Sequence, residues 1–63
     1  MDLGERILAY RAKNGISQNK MDFILGVSSQ TVFRIEGKKH NLRAARKFLI
    51  EQKMDELEGE KNV

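Results

Sequence analysis

The stretch from Gln18 to Gly37, QNKMDFILGVSSQTVFRIEG, constrains the fold more than any other part of this chain. It is laid out as two short helices joined by a tight turn. Ser17 is a good N-cap, because its hydroxyl accepts an N–H that the first helical turn leaves unpaired, and MDFIL (21–25) supplies an apolar face. Gly26 lacks the Cβ that opposes positive φ, so the chain can turn sharply there. Ser28 is expected to cap a second helix running to about Glu36, and Gly37 suits the left-handed position that closes it.

The periodicity of that second helix separates two sides. At roughly 100° per residue, Val32, Ile35 and Ser28 fall on one side, with Thr31 at its edge. Ser29, Gln30, Phe33 and Arg34 fall on the other. Three of these four can hydrogen-bond to base edges or phosphates, and Phe33 can meet a thymine methyl. Glu36 lies near the buried side and is expected to have a cationic partner. An amphipathic surface helix with a merely solvated face has the same pattern, so the pattern alone does not separate the two readings.

Sixty-three residues make one small domain near the lower limit for a core without covalent staples. The chain has no cysteine, which excludes disulfides and thiolate metal sites, and its single histidine, His40, cannot hold zinc alone. It carries no Gly-rich phosphate loop and is too small for a substrate pocket, so neither an enzyme nor a bound cofactor is expected. No apolar run approaches the ~18 residues that would span a bilayer, and Met1-Asp2 does not begin a signal peptide. A soluble, cytoplasmic protein is the expectation.

Charge is unevenly distributed. The net charge is +3, yet Lys38, Lys39, Arg43, Arg46 and Lys47 put +5 into residues 37–47, while residues 48–63 carry −3. A basic block behind the outward-facing helix favours a polyanionic partner.

The absence of proline and of alternating β-type runs gives an all-α reading with four helices. Asp2 can cap a first helix to about Lys13, with Leu3, Ile7 and Tyr10 as its core stripe and Asn14-Gly15 as its stop signal. The second helix buries Met21, Ile24 and Leu25, with Val27 beyond the turn. Asn41 can cap a fourth helix over about 42–57, with Leu42, Ala45, Phe48 and Leu49 on one face. Ile50, Met54 and Leu57 form a second stripe on a rotated face. These three either fold back on the first helix or, with Phe48, form a self-association surface. Asp55, Glu56 and Glu58 sit where the helix dipole disfavours anions, so this end is weak unless something packs on it.

Several of these residues carry a resemblance. LGERI (3–7), Arg11, Asn14-Gly15-Ile16-Ser17-Gln18, Leu25-Gly26-Val27-Ser28, Thr31-Val32 and Arg34-Ile35-Glu36 resemble the Cro-like and phage-repressor helix-turn-helix family of transcription regulators, also called the Xre family. The match covers about residues 3–42. The resemblance implies a lambda-repressor-like, four-helix DNA-binding domain over 1–57, a frayed tail over 58–63, and a recognition helix entering the major groove. It assigns base reading to Ser28, Ser29, Gln30 and Arg34, to which the outward position of Phe33 adds a fifth candidate. Phosphate contacts fall to Ser17, Gln18, Thr31, Lys38, Lys39, His40 and Arg43. Arg11 and Glu36 match a structural ion pair, although Arg11 reaching a phosphate is the alternative. Phe48, Ile50, Met54 and Leu57 are the candidate dimer contacts. The implied function is a nucleoid-associated repressor binding double-stranded DNA as a homodimer on a palindrome.

Some residues depart from that family pattern. Asp22 replaces a small apolar residue at a crowded position, so its carboxylate must be hydrogen-bonded or turned outward. Phe23 and Phe33 stand at usually polar positions, and Leu8 faces away from the first stripe. These exposed apolar groups favour a second reading, a scaffold that binds another protein.

Overall fold

A computed structural model describes residues 2–39 and 42–59. Four helices follow one another: α1 (Leu3–Asn14), α2 (Gln18–Leu25), α3 (Thr31–Glu36) and α4 (Ala44–Gly59), with no strand among the described residues.

Local chemistry sets most helix ends. Asp2 and Glu5 form a reciprocal capping box, each side chain accepting the other's backbone N–H, at 2.9 and 3.0 Å. Ser17 Oγ accepts the Lys20 N–H at 3.1 Å and starts α2. Gly26, at φ 70°, ends α2, and the Val27 N–H returns to the Asp22 carbonyl at 3.0 Å.

The ends of α3 differ from expectation. Ser28 does not cap it. Residues 26–30 form the turn, and α3 starts at Thr31 after Gln30, which sits at φ 70° and makes no side-chain cap bond. At the other end, Gly37 is right-handed (φ −80°) and Lys38 takes the left-handed place at φ 60°. The Lys39 N–H bonds the Arg34 carbonyl and the Lys38 N–H bonds the Ile35 carbonyl, the paired closure of a Schellman motif. That pairing sets the position of the left-handed residue, and it falls one place beyond the glycine.

The core joins all four helices: Leu3 and Ile7, Met21 and Leu25, Val32 and Ile35, and Ile50, Met54 and Leu57, with Tyr10, Ile16, Ile24, Val27 and Leu42 at its margin. Burying such side chains contributes about 1.5–3 kcal/mol each before entropy is set against it. Gly4 lies where α1 meets α3. A Cβ built there would stand 2.7 Å from the Ile35 carbonyl oxygen, so only glycine lets the backbones approach this closely.

The fourth helix decides between the two alternatives for its second stripe. Ile50, Met54 and Leu57 are core residues, withdrawn from any self-association surface, whereas Ala45, Phe48 and Leu49 are exposed. Ile50, Met54 and Leu57 share one core with Leu3, Ile7 and Met21, where α4 meets α1 and α2. Residues 43–49 are exposed throughout, with Arg46 and Leu49 lining an open groove beside Leu25, Gly26 and Val27. The helix also continues to Gly59, past the expected fraying point. Its acidic end has found a cation: Arg6 Nη2 lies 2.8 Å from Asp55 and 2.6 Å from Glu58. His40, Asn41 and residues 60–63 lie outside the described residues. No helix among the described residues is long and apolar enough to cross a membrane.

Candidate functional site

The outward side of α3 is held in place from behind. Val32 and Ile35 are buried, and Glu36 ends the helix against α1. Arg11 grips Glu36 with two parallel bonds, Nε to Oε2 at 2.7 Å and Nη2 to Oε1 at 2.8 Å. Its remaining Nη1 donates to the Ile16 carbonyl at 3.0 Å, and Gln18 Nε2 adds a third bond to Glu36 Oε1 at 3.0 Å. With side chains only 17% and 10% exposed, the pair is shielded from water and geometrically restricted. Burial alone would push the Glu36 carboxyl up. The hydrogen bonds from Arg11 and then Gln18 outweigh it and hold the group below the ordinary carboxylate range. The same contact raises the Arg11 guanidinium.

This network changes the place of one predicted phosphate contact. The Gln18 amide is directed at Glu36, so it braces α2 against α3. Ser17 is exposed, but its hydroxyl is the cap of α2. Thr31 is half-buried, with its hydroxyl 3.3 Å from that of Ser28.

On the outer side, Gln30, Phe33 and Arg34 are exposed, and no ion pair or hydrogen bond engages the Arg34 guanidinium among the described residues. Gln30 and Phe33 line one wall of an open groove of about 200 Å³ whose other wall is Gln18 and Asn19. Ser28 and Ser29 belong to the turn leading into α3 and are exposed there. Lys38 follows the helix with its ammonium 2.8 Å from Asp2, which raises its pKa and lowers that of Asp2, although both groups are exposed. Lys39, Arg43, Arg46 and Lys47 are exposed, and His40 falls outside the described residues.

Asp22 is the residue whose role sequence reasoning left open. It is 4% exposed, and its two oxygens accept the backbone N–H groups of Gln30 at 2.9 Å and Val32 at 2.8 Å. A carboxylate between the buried Met21 and Leu25, nine residues before the start of the next helix, is the sequence signal for such a clasp. The target N–H groups are visible only in three dimensions.

Exposed apolar groups form a second feature. Phe23 is 77% exposed on α2, with the Lys20 ammonium 5.4 Å from its ring centre, and Phe48 and Leu49 are exposed on the first half of α4. Compared with known proteins, the chain matches no family model, no curated protein and no solved structure.

Proposed function

We propose that this chain is a sequence-specific transcriptional regulator that binds double-stranded DNA through a helix-turn-helix, with α2, the turn 26–30 and α3 as the motif, in the manner of the Cro-like repressors it resembles. The observation that carries the reading is the two-sidedness of α3. Its inner residues are buried and its base is clamped by Arg11 and Gln18, while Gln30, Phe33 and Arg34 stand free beside a basic run.

A rigid helix with an uncommitted polar side is what base reading requires, because the side chains must reach the major groove without first breaking internal bonds. Gln30 pairs in bidentate fashion with adenine and Arg34 with guanine, each discriminating by about 1–3 kcal/mol. Phe33 contacts a thymine methyl, and Ser28 and Ser29 add contacts from the turn. Lys39, Arg43, Arg46 and Lys47 neutralise flanking phosphates and supply affinity without sequence information. Two copies reading a palindrome would hold their α3 helices about 34 Å apart. Phe48 and Leu49 remain available for the contact between copies. The working location is the cytoplasmic nucleoid.

Selection of bound sequences from random duplex DNA tests this. The expected result is a palindromic preference, an affinity that falls by about 10³ or more between 50 and 200 mM salt, and relaxed preference in Gln30→Ala and Arg34→Ala. A folded sample that enriches no sequence would refute it.

The second reading, a module that binds another protein, is favoured by Phe23, whose ring lies almost wholly in solvent. In that case Phe23→Ser abolishes partner capture and Arg34→Ala leaves it intact.

A further inference from the structure

We infer that Asp22 is the positioning residue of the reading side: its carboxylate takes over the capping of α3, and so sets the pose in which Gln30 meets a base. This rests on the DNA-binding reading above.

A helix N-terminus needs acceptors for its unpaired N–H groups, and the residue at the cap normally supplies one from its own side chain. Here the cap residue is Gln30, and its side chain makes no such bond. Asp22 reaches across from α2 instead. One oxygen takes the N–H of Gln30 itself and the other takes that of Val32, two residues into the helix. The carboxylate is almost fully buried and spends both oxygens on this task.

Two consequences follow. The Gln30 carboxamide is released from capping and lies on the groove with Gln18, Asn19 and Phe33. In addition, Gln30 is held at φ 70°, a region that non-glycine residues seldom occupy and that needs an external restraint to persist. The bond to its own N–H is that restraint. Losing it lets Gln30 relax and swings its side chain away from the direction in which it would address a base edge.

The test uses Asp22→Asn, which preserves shape but removes one acceptor, and Asp22→Ala, which removes both and adds no bulk. Arg6→Ala serves as a control, because it breaks contacts remote from α3. Each variant is held at a temperature where circular dichroism shows it folded. Binding is then measured to the sequence that the wild type selects and to versions with single bases exchanged. The expected result is that both Asp22 variants lose preference about fivefold or more at the base that Gln30→Ala also affects, while Arg6→Ala keeps it. Exchange protection of the Gln30 and Val32 amides should fall in parallel. Folded Asp22 variants with an unchanged base preference overturn the inference while leaving the DNA reading intact. A wild type that selects no DNA overturns both. If neither Asp22 variant shows a cooperative unfolding transition, the residue serves folding alone and the inference is likewise overturned.

Discussion

Replacing Glu36 by Gln isolates the contribution of the clamp between α1 and α3. The substitution keeps the shape of the side chain but removes its charge and one of the two oxygens that Arg11 holds at 2.7 and 2.8 Å. Arg11 then remains as a guanidinium 17% exposed with an incomplete partner. Breaking a fully buried pair costs about 3–5 kcal/mol, and an exposed one contributes at most about 1. This pair is mostly but not wholly shielded, and Gln retains one acceptor, so about 2–3 kcal/mol is expected. A chain of this size has only about 3–9 kcal/mol of total stability, and each kcal/mol moves its melting temperature by about 4–8 °C. The melting point at pH 7 should therefore fall by on the order of 10–20 °C, read by circular dichroism. The pH dependence supplies an independent check. The Glu36 carboxyl is depressed in the folded state, so its contribution is complete above the unfolded value of 4.5 and disappears as pH falls through the lower, folded value. The gap between wild type and Glu36→Gln should accordingly narrow on acidification below that point. A melting point within about 3 °C of wild type at pH 7, or a gap independent of pH, would refute the reasoning.

Three further outcomes follow from packing and exposure. Gly4→Ala forces a Cβ against the Ile35 carbonyl and should cost about 1–3 kcal/mol in urea unfolding, in contrast to the gain usually seen when alanine replaces a helical glycine. Met54→Ala empties the centre of the core and should cost about 2–5 kcal/mol. Phe48→Ala, at 59% exposure, should change monomer stability by less than about 0.5 kcal/mol. If copies associate through the exposed first half of α4, Phe48→Ala should also lower the solution mass measured by sedimentation.

The ends of α1 and α2 could be read from the sequence because the hydrogen bonds that set them close within a few residues. The Asp2 cap, the Ser17 cap and the Gly26 turn involve partners three to five positions apart, so residue type and spacing were enough to locate them, whereas the reciprocal bond accepted by Glu5 emerged only in the structure. Periodicity likewise predicted the buried side of α1 and α3, because an amphipathic helix in a small domain has one direction in which to turn its apolar residues. The inward position of Glu36 followed from the same argument.

Other features depended on contacts between residues far apart in the chain. The start of α3 was set at Thr31 by a carboxylate on α2, and local capping rules that pointed to Ser28 had no means of registering it. The buried stripe of α4 was chosen by where α1 and α2 meet it, since Leu49 and Ile50 are equally apolar as letters. The need for glycine at position 4 is likewise set by the Ile35 carbonyl, which lies 31 residues along the chain. Sequence alone determined the caps of α1 and α2 and the turn at Gly26, whose bonds close along the chain; the folded arrangement decided the ends of α3 and the contacts brought together only by packing, because the energy of a distant contact does not exist until the backbone has closed the loop between them.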